Sequence, residues 1–464
     1  MFRGRVRHAH FIGVGGIGMS GLAEILVSLG FEVSGSDMKS GETTARLVRL
    51  GVRIDLGHRA KNVHGADVVV FSSAIAGTNP EILESRSLGT PVISRAEMLA
   101  ELMRVKYGVA IAGSHGKTTT TSLVATVLRA AELDPTVVVG GRMASIGSNA
   151  QLGEGNLLVA EADESDGSFL RLSPTVAAIT NIDPEHLDHY GTHENLKNAF
   201  VEFAQKVPFY GLAVLCLDHP HVQDILPRIQ RRHVTYGLSF QADYCASSLE
   251  YQGIHSTFQV AVRGQSMGEF SVRMPGQHNV LNCLAAIAIA DELEVPLDVM
   301  KSSLESFHGV ARRFTIHSEI NGVTLVDDYG HHPAEVLATL EAARRAFAGR
   351  VIVAFQPHRY SRTEALFDEF SRAFNKADEV RVVDIYRAGE SPIEGISAES
   401  LSASIRRHGH HGASYAPDRA AMCEELAEIA RPGDVVISLG AGDINKILPM
   451  IASNLASLGG PDSP

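Results

Sequence analysis

The stretch YGVAIAGSHGKTTTTSLVATVLRA, residues 107–130, decides the fold of this chain. An apolar run typical of a buried strand leads into the glycine-rich loop Gly113–Thr118, and a helical pattern follows. The loop is shorter than the common GxxxxGK[ST] form, because Ile111 stands where the first glycine would be. Its backbone N–H groups can still surround phosphates, Lys117 can reach the β and γ oxygens, and the Thr118 hydroxyl can bind Mg²⁺. The alternative, an exposed lysine in a loop that only caps a helix, is less favoured because a lysine between glycines has little structural purpose.

The same alternation of strands and helices extends in both directions. Buried strands are predicted in nine further apolar runs, at residues 10–14, 67–73, 91–94, 156–163, 175–183, 322–328, 350–356, 379–386 and 434–440. Helices are predicted between them, for example over Gly18–Leu29, Thr118–Ala131 and Glu335–Ala348. This pattern indicates an α/β fold with parallel sheets covered on both faces.

New strands begin near residues 103–106 and 312–315, so we expect three domains, 1–104, 105–312 and 313–464. Residues 233–275 differ, because their period-two alternation predicts antiparallel hairpins inserted in the central domain.

Composition limits the classes of function. The chain has 464 residues, 45% of them hydrophobic, and a formal net charge of −12. An acidic chain is a poor candidate for nucleic-acid binding, which needs clustered lysine and arginine against phosphates. The four cysteines form no CxxC pair, so a reducing, cytoplasmic compartment is the expectation. We expect no signal peptide, no membrane span and no obligate protein partner.

The N-terminal stretch HFIGVGGIGMSGLAEIL contains Gly13-x-Gly15-x-x-Gly18 between a predicted strand and a predicted helix. Such glycines let the backbone turn sharply and bring a diphosphate to a helix N-terminus. The next strand ends at Asp37, where an acid could contact a ribose or a base. A tight turn without a ligand is the weaker interpretation, and the motif leaves NAD and a UDP-sugar both open.

Two later strands end in acidic segments. NLLVAEADESDGSF carries four acids from Glu161 onwards, and AITNIDPEHLDHY contains His186 among three acids. The carboxyl ends of strands in an open sheet face the ligand crevice, and carboxylates suit Mg²⁺. Zinc at His186 and His189 is disfavoured because no third ligand has clear spacing. Glu185 and Asp188 are expected to cap helices or to face solvent.

The last third of the chain is rich in histidine and arginine after its strands, in VDDYGHHPAEV and AFQPHRYSRTEAL. Arg359 and Arg362 are three residues apart and can converge on one face, where planar guanidinium groups suit a carboxylate. A surface ion-pair cluster explains the same residues equally well.

Eleven of these strings together resemble the Mur ligase family: GVGGIGMSGLAEIL, SGSD, SSAI, GSHGKTTT, AEADESDGSFL, TNIDPEHLDHY, GQHNVLNCLAA, FHGVARRF, DDYGHHPAEV, QPHRYSRT and GAGD. They run in family order from residue 13 to residue 443. The resemblance implies a Rossmann-like N-terminal domain, a central P-loop-type ATPase domain with a mainly parallel sheet, and a C-terminal Rossmann-like α/β domain. It also implies ATP-dependent joining of L-alanine to the lactyl carboxylate of UDP-N-acetylmuramate through an acyl phosphate, in peptidoglycan synthesis.

The resemblance also implies roles for individual residues. The UDP-sugar would be surrounded by Gly13, Gly15, Gly16, Gly18, Asp37, His58, Ser72 and Ser73. ATP would contact Gly113, Ser114, His115, Gly116, Lys117, Thr118 and Thr119, with Asn279 and Asn282 near the adenine. Mg²⁺ would lie among Thr118, Glu161 and His186. The incoming alanine would lie near Tyr329, His331, His358, Arg359 and Arg362. Lys117, Arg313, Asp328 and His331 would act in the chemistry, with Arg313 and Asp328 reaching ATP from the third domain.

Three other functions explain part of the same sequence. An NAD-dependent oxidoreductase would use the first turn but would leave GSHGKTTT without a role. A non-catalytic nucleotide-sugar sensor would bind the sugar without releasing ADP. A relative that attaches a recycled tripeptide to the same sugar would differ only in its acceptor.

Overall fold

The computed structural model describes residues 6–72, 74–139 and 150–458. It contains three sheets, and the chain divides into two compact units. The first unit is made of Met1–Ser247, Gln259–Phe270 and Leu281–Phe307, and the second of Ser248–Phe258, Ser271–Val280 and His308–Pro464. The α/β fold predicted from the alternating pattern is confirmed. The domain boundaries predicted at residues 104 and 312 stay predictions.

The first sheet has five parallel strands in the order β3-β2-β1-β4-β5. The strands are β1 (His8–Ile12), β2 (Glu32–Asp37), β3 (Arg53–Leu56), β4 (Val68–Phe71) and β5 (Val92–Ser94). The helices are α1 (Ile17–Ser28), α2 (Glu42–Arg49), α3 (Pro80–Ser87) and α4 (Arg95–Met103). The strand order reverses between β1 and β4, so the loops that follow these two strands separate and leave a crevice at the carboxyl edge.

The second sheet has ten strands in the order β15-β14-β13-β12-β11-β10-β6-β9-β7-β8. The strands are β6 (Tyr107–Ala112), β7 (Thr136–Val138), β8 (Ala150–Gln151), β9 (Leu157–Glu161), β10 (Val176–Ile179), β11 (Leu212–Cys216), β12 (His233–Gly237), β13 (Tyr244–Gln252), β14 (His255–Val262) and β15 (Gln265–Val272). The helices are α5 (Lys117–Ala130), α6 (Leu187–Tyr190), α7 (His193–Gln205), α8 (Pro220–Ile225), α9 (Gln277–Glu292) and α10 (Leu297–Glu305). β6 lies between β9 and β10 and is parallel to both, so the loops after these three strands meet at one edge.

The segment 233–275 corrects one expectation. β12 pairs in parallel with β11, so the prediction of antiparallel hairpins is wrong for the first strand of this segment. β13, β14 and β15 do follow one another through two-residue turns, which only antiparallel neighbours permit. The alternation did not separate β12 from the hairpins because its sequence, HVTYG, also alternates polar and apolar residues, although four of its five residues are buried.

The third sheet has six strands in the order β16-β17-β21-β18-β19-β20. The strands are β16 (Thr315–Ile320), β17 (Val323–Asp328), β18 (Val351–Phe355), β19 (Glu379–Val382), β20 (Ala413–Tyr415) and β21 (Val435–Leu439). The helices are α11 (Pro333–Ala346), α12 (Tyr360–Ala365), α13 (Phe367–Arg372), α14 (Ala398–Arg407), α15 (Arg419–Ile429) and α16 (Leu448–Leu458). Only β16 is antiparallel to its neighbour.

Continuous apolar runs form the buried strands because both faces of each sheet are covered. Every residue of β1, β11, β18 and β21 is buried. In the first unit one core cluster contains residues of both the first and the second sheet. Gly21 of α1 packs so closely on β8 that a Cβ at this position would lie 2.5 Å from the Cβ of Ala150. No helix in the described ranges is long and apolar enough to cross a membrane.

Candidate active site

The phosphate loop joins β6 to the first turn of α5. Gly113 has φ +135°, and a Cβ on this residue would overlap the hydroxyl of Thr180. Only glycine fits such a conformation without strain. The first-turn amides of α5, from Lys117 onwards, have no intrahelical acceptor and carry the positive end of the helix dipole. The loop therefore has the geometry of an anion-binding site.

Lys117 lies inside this loop and is surrounded by oxygen atoms. Its Nζ donates to the carbonyl oxygens of Gly113 (2.5 Å) and Ser114 (3.0 Å) and to Glu164 Oε1 (2.9 Å). Burial alone would lower the pKa of Lys117, but the nearby carboxylates of Glu164, Glu161 and Asp163 raise it overall. The side chain is therefore a cation that must exchange these partners to reach a phosphate.

The end of β10 holds the loop in place. Asn181 Oδ1 accepts from the amide N–H of His115 (2.7 Å), and Asn181 Nδ2 donates to the carbonyl oxygen of His115 (3.0 Å). The Ser114 hydroxyl oxygen accepts from the amide N–H of Asp183 (2.8 Å). The backbone of His115 thus anchors the loop. Its amide N–H is already bound to Asn181, so the predicted contact of His115 with ATP would have to use other atoms.

Asp183 lies between two histidines in the same region. His115 Nε2 is 3.2 Å from Asp183 Oδ2, and His219 Nε2 is 3.4 Å from Oδ1. Burial raises the pKa of Asp183, but the hydrogen bonds from His115 and His219 lower it far below its ordinary value. Asp183 is therefore a permanent anion beside the loop.

Acids from β9 and its following loop complete the site. The Thr118 hydroxyl, in the first turn of α5, donates to Glu161 Oε2 (2.9 Å) at the end of β9, the strand beside β6. Glu164 is only 2% exposed, and its Oε1 is 3.8 Å from His186 Nε2. Burial, together with the nearby Asp163, raises the pKa of Glu164 to about 7 although Lys117 opposes this.

The expectation that Glu185 faces solvent is wrong. Its carboxylate is 11% exposed and lies 3.5 Å from His186 Nε2 and 3.3 Å from His115 Nε2. Glu164, Glu185 and His186 place ligand atoms within 4.8 Å of one another. His186 adopts φ +55°, an uncommon conformation for a residue other than glycine that clusters at functional sites. Asp188 is exposed, as expected.

This group of side chains fits Mg²⁺. Oxygen donors dominate, and a hydroxyl and carboxylates are the protein ligands that Mg²⁺ prefers. The acids also outnumber Lys117, and the raised pKa of Glu164 reflects the cost of burying this excess negative charge. A divalent cation would offset that cost. The placement of Mg²⁺ among Thr118, Glu161 and His186 stays a prediction, and the structure adds Glu164 and Glu185 beside His186.

A cavity of about 460 Å³ lies at the crevice of the first sheet. Six of the residues predicted to surround the UDP-sugar line it: Gly13, Gly15, Gly16, Asp37, His58 and Ser72. Asp37 holds the turn, because its Oδ2 accepts from the amide N–H of Gly15 (2.9 Å). Ser73 lies outside the described residues.

Gly18, the third glycine of the motif, packs against Arg95 instead. A Cβ on Gly18 would lie 2.5 Å from Arg95 Nη1, so a glycine lets this side chain cross the start of α1. Arg95 Nη2 in turn is 3.9 Å from Asp163 Oδ2, in the acidic loop after β9. The sequence motif did not indicate this arginine.

The predicted amino-acid site forms a row of rings at the carboxyl edge of the third sheet. The ring centroids of Tyr329 and His331 are 5.4 Å apart, those of His331 and His358 5.9 Å, and those of His358 and Tyr386 5.4 Å. Arg362 Nη1 is 3.5 Å from His358 Nδ1. Burial and nearby charge lower the pKa of both histidines to about 4, so both rings are neutral near pH 7. Tyr386 was not among the predicted residues.

Arg359 immediately precedes α12 and has φ +69°, and its amide N–H donates to the carbonyl oxygen of Tyr386 (2.8 Å). Its side chain is exposed and lies close enough to lower the pKa of His358. Both predicted arginines therefore lie near His358, and Arg359 also lies near Glu390, so binding of a carboxylate and a surface ion-pair cluster both stay predictions.

Arg313 and Asp328 also have partners within the third sheet's unit. Arg313 Nη1 donates to Glu335 Oε1 (3.3 Å). Asp328 accepts from the amide N–H groups of Phe314 and Gly330, both at 2.8 Å. Burial raises the pKa of Asp328 to about 6. Asp328 thus has a structural role, and its predicted contact with ATP stays a prediction.

The two asparagines predicted near the adenine are both buried. Asn282 accepts from the Thr120 hydroxyl (3.2 Å) and lies beside Gly116 of the phosphate loop. Asn279 Nδ2 donates to the carbonyl oxygen of Pro275 (2.8 Å). Only Asn282 is placed at the loop by these contacts.

Three family models match the chain in the order of its three sheets. Residues 8–107 match the Mur ligase family, catalytic domain, residues 111–290 the Mur ligase middle domain, and residues 312–442 the Mur ligase, glutamate ligase domain. The chain belongs to the Mur ligase family. Among similar Mur ligases, UDP-N-acetylmuramate–L-alanine ligase of Sorangium cellulosum is 71% identical over 96% of both chains. The enzyme of that name from Geotalea daltonii is 56% identical over 95% of this chain and 96% of its own.

Solved structures of Mur ligases have the same architecture. UDP-N-acetylmuramate-alanine ligase of Thermotoga maritima is 31% identical with a TM-score of 0.80, covering 97% of this chain and 99% of its own. A murein peptide ligase of Psychrobacter arcticus, at 23% identity and a TM-score of 0.69 over 97% of this chain and 99% of its own, shares the fold. The three-domain Mur ligase fold expected from the resemblance is confirmed.

Proposed function

We propose that this Mur ligase joins L-alanine to the lactyl carboxylate of UDP-N-acetylmuramate and converts ATP to ADP and phosphate. The reaction would supply a precursor of peptidoglycan in the cytoplasm. The observation that carries the proposal is the 71% identity to a ligase of that name over almost the whole chain. The phosphate loop, with Lys117 among the acids after β9, supports the ATP-dependent step.

The first step would phosphorylate the lactyl carboxylate. A carboxylate does not acylate an amine, because oxide is a poor leaving group, whereas an acyl phosphate releases phosphate. The carboxylate oxygen attacks the γ-phosphorus of ATP, and ADP leaves. Both reactants are anions, so Lys117 and the first-turn amides of α5 must stabilise charge on the equatorial oxygens.

Mg²⁺ would be held by Thr118 and Glu161, with Glu164, Glu185 and His186 close by. It would neutralise charge on the phosphates. The chain's own residues prepare this position, because the Thr118 hydroxyl already contacts Glu161 and Lys117 already balances Glu164.

The second step would bring the alanine amine to the acyl phosphate, and phosphate would leave. We place the amino acid at the row of rings, with its carboxylate on Arg359 and Arg362. His331 is a weak base, because burial lowers its pKa to about 4. That favours a role in orienting the amine through a neutral ring rather than in removing its proton. We also propose the domain boundaries 1–104, 105–312 and 313–464, which lie close to the ends of the family matches.

A coupled assay of ADP release tests the function. The full chain is mixed with ATP, Mg²⁺, UDP-N-acetylmuramate and L-alanine, and each substrate is omitted in turn. We expect ADP only in the complete mixture, and less with glycine or L-serine. ADP release with the recycled tripeptide but not with L-alanine would contradict the proposal, as would UDP-sugar binding without any ADP.

Replacing Arg359 by alanine is expected to raise the KM for L-alanine about 10–100-fold, the usual loss when a hydrogen-bonded charged group is removed. The KM for ATP should stay within about twofold, since this residue follows β18 and not the phosphate loop. Initial rates at varied alanine and varied ATP measure both constants. Arg407→Ala, on the exposed face of α14, is the matched control. Equal increases in both KM values would place Arg359 outside the amino-acid site.

A further inference from the structure

A chain of buried polar side chains lies beneath the cavity of the first sheet. His58 lines the cavity, and its Nδ1 is 2.9 Å from the Ser36 hydroxyl oxygen. Ser36 Oγ is in turn 2.6 Å from Glu81 Oε2. Ser36 and Glu81 are fully buried, whereas the His58 side chain is 13% exposed. The three residues form a relay from the core to the cavity wall.

Glu81 is an acceptor at the buried end of this relay. Its Oε1 accepts from Asn62 Nδ2 (2.5 Å) and from the amide N–H of Arg59 (3.2 Å). Burial raises the pKa of Glu81, but the nearby His10 ring and the hydrogen bonds from Ser36 and Asn62 lower it overall. The carboxyl group is therefore ionised near neutral pH and donates no proton.

This fixes the direction of both hydrogen bonds in the relay. A carboxylate cannot donate, so the single proton of the Ser36 hydroxyl points to Glu81. The hydroxyl oxygen can then only accept from His58, so Nδ1 carries a proton, and an imidazole with a single proton has it there. Nε2 consequently keeps its lone pair. It has no partner among the described residues, and His58 is one of the residues that line the cavity.

We propose that Glu81, acting through Ser36, holds His58 in the Nδ1–H tautomer so that Nε2 accepts a hydrogen bond from the nucleoside of the UDP-sugar. This inference rests on the proposed function. The donor is an N–H or O–H group of the ligand, either N3–H of the uracil or a ribose hydroxyl. Glu81 and Ser36 are positioning residues, and His58 is the residue that contacts the ligand.

The substitution E81Q should invert the relay. Asn62 and Arg59 both donate toward Oε1, so the glutamine carbonyl oxygen takes that place and its NH₂ group faces Ser36. Ser36 then accepts from the glutamine and donates to His58 Nδ1. The imidazole proton moves to Nε2, where it opposes the ligand donor.

The tautomer can be observed directly in the full chain. A long-range ¹H–¹⁵N correlation spectrum of protein labelled with ¹⁵N-histidine distinguishes a protonated ring nitrogen from a bare one. The His58 signals are assigned by their absence in H58F. We expect a protonated Nδ1 and a bare Nε2 in the wild type and the reverse in E81Q. A protonated Nε2 in the wild type overturns the proposal, whatever the variants do.

Binding by calorimetry tests the consequence for the ligand. UDP is compared with N3-methyl-UDP, 2′-deoxy-UDP and 3′-deoxy-UDP, each of which lacks one candidate donor. We expect one analogue to bind the wild type about tenfold more weakly than UDP, the scale of one hydrogen bond with an unpaired partner left behind. In E81Q we expect the affinity for UDP itself to fall about tenfold. The affinities of E81Q for UDP and for that analogue should then be equal. The analogue that loses affinity identifies the donor.

Glu84 provides the matched control. It lies one turn later on α3 and also contacts a histidine, His64 Nε2 at 2.8 Å, but at the protein surface. E84Q should bind all four nucleotides as the wild type does. Equal behaviour of E81Q and E84Q, or no loss with any analogue, overturns the inference while leaving the ligase function intact. A wild-type chain that binds neither UDP nor the UDP-sugar overturns the proposed function itself.

Discussion

Replacing Lys117 by alanine is expected to lower kcat for ADP release about 10³-fold, the loss found when a donor aimed at transition-state charge is removed. Lys117 is the cation of the phosphate loop, and both reactants of the first step are anions. The binding of UDP at the first sheet should be unchanged, because that cavity has no residue in common with the loop. Steady-state ADP release and calorimetry with UDP measure the two quantities.

A second effect of the substitution has to be separated from the first. Lys117 balances the buried Glu164, and removal of one partner of a buried ion pair costs about 3–5 kcal/mol of stability. The double variant K117M/E164Q removes both charges and should fold well but stay inactive. Lys206→Ala removes a surface lysine paired with Glu202 and serves as the control. Activity of K117M/E164Q within about tenfold of the wild type would exclude the phosphate-loop role.

Replacing Glu161 by alanine is expected to lower kcat about 10²-fold and to raise the Mg²⁺ concentration needed for half-maximal activity. The side chain ends β9 beside the Thr118 hydroxyl, where a cation bound to phosphates would need a carboxylate. Titration of Mg²⁺ at saturating ATP measures the shift, and chelation with EDTA should abolish ADP release from the wild type.

Asp166 offers the control for this experiment. It belongs to the same acidic segment, but it is exposed and only accepts from the amide N–H of Ser168 (3.0 Å). Asp166→Ala should keep the Mg²⁺ dependence of the wild type. If Glu161→Ala kept the Mg²⁺ dependence of the wild type as well, a role of this carboxylate in binding the cation would be excluded.

The sequence predicted the elements of the site better than their contacts. The helices at the two glycine-rich turns were predicted to within one residue at each end, because each turn marks the boundary between strand and helix. Glu161 could be selected because it ends a long apolar run. Glu164 and Glu185 could not be selected in this way. Each follows the end of a strand, and the burial of each side chain depends on the loops that cover it.

Contacts between neighbouring strands could not be predicted from the sequence, because such a prediction requires the order of the strands in each sheet. β9 and β10 flank β6 although neither adjoins it in sequence, and this brings Asn181 and Asp183 to the phosphate loop. Tyr386 reaches His358 for the same reason, since β19 lies beside β18. Glu81 gave no signal at all, because a single acid in a short helix has the pattern of a solvent-exposed residue.

The N-terminal sheet is not an interchangeable module. Arg95 crosses Gly18 to reach Asp163, Glu97 of the same helix is paired with Arg171, and Gly21 fits the single methyl group of Ala150. A chimera that grafts this sheet onto the middle segment of a distant relative would have to carry all three pairs together. Changes at the cavity of the first sheet are therefore constrained, through two guanidinium groups and two close-packed glycines, by the segment that follows the phosphate loop.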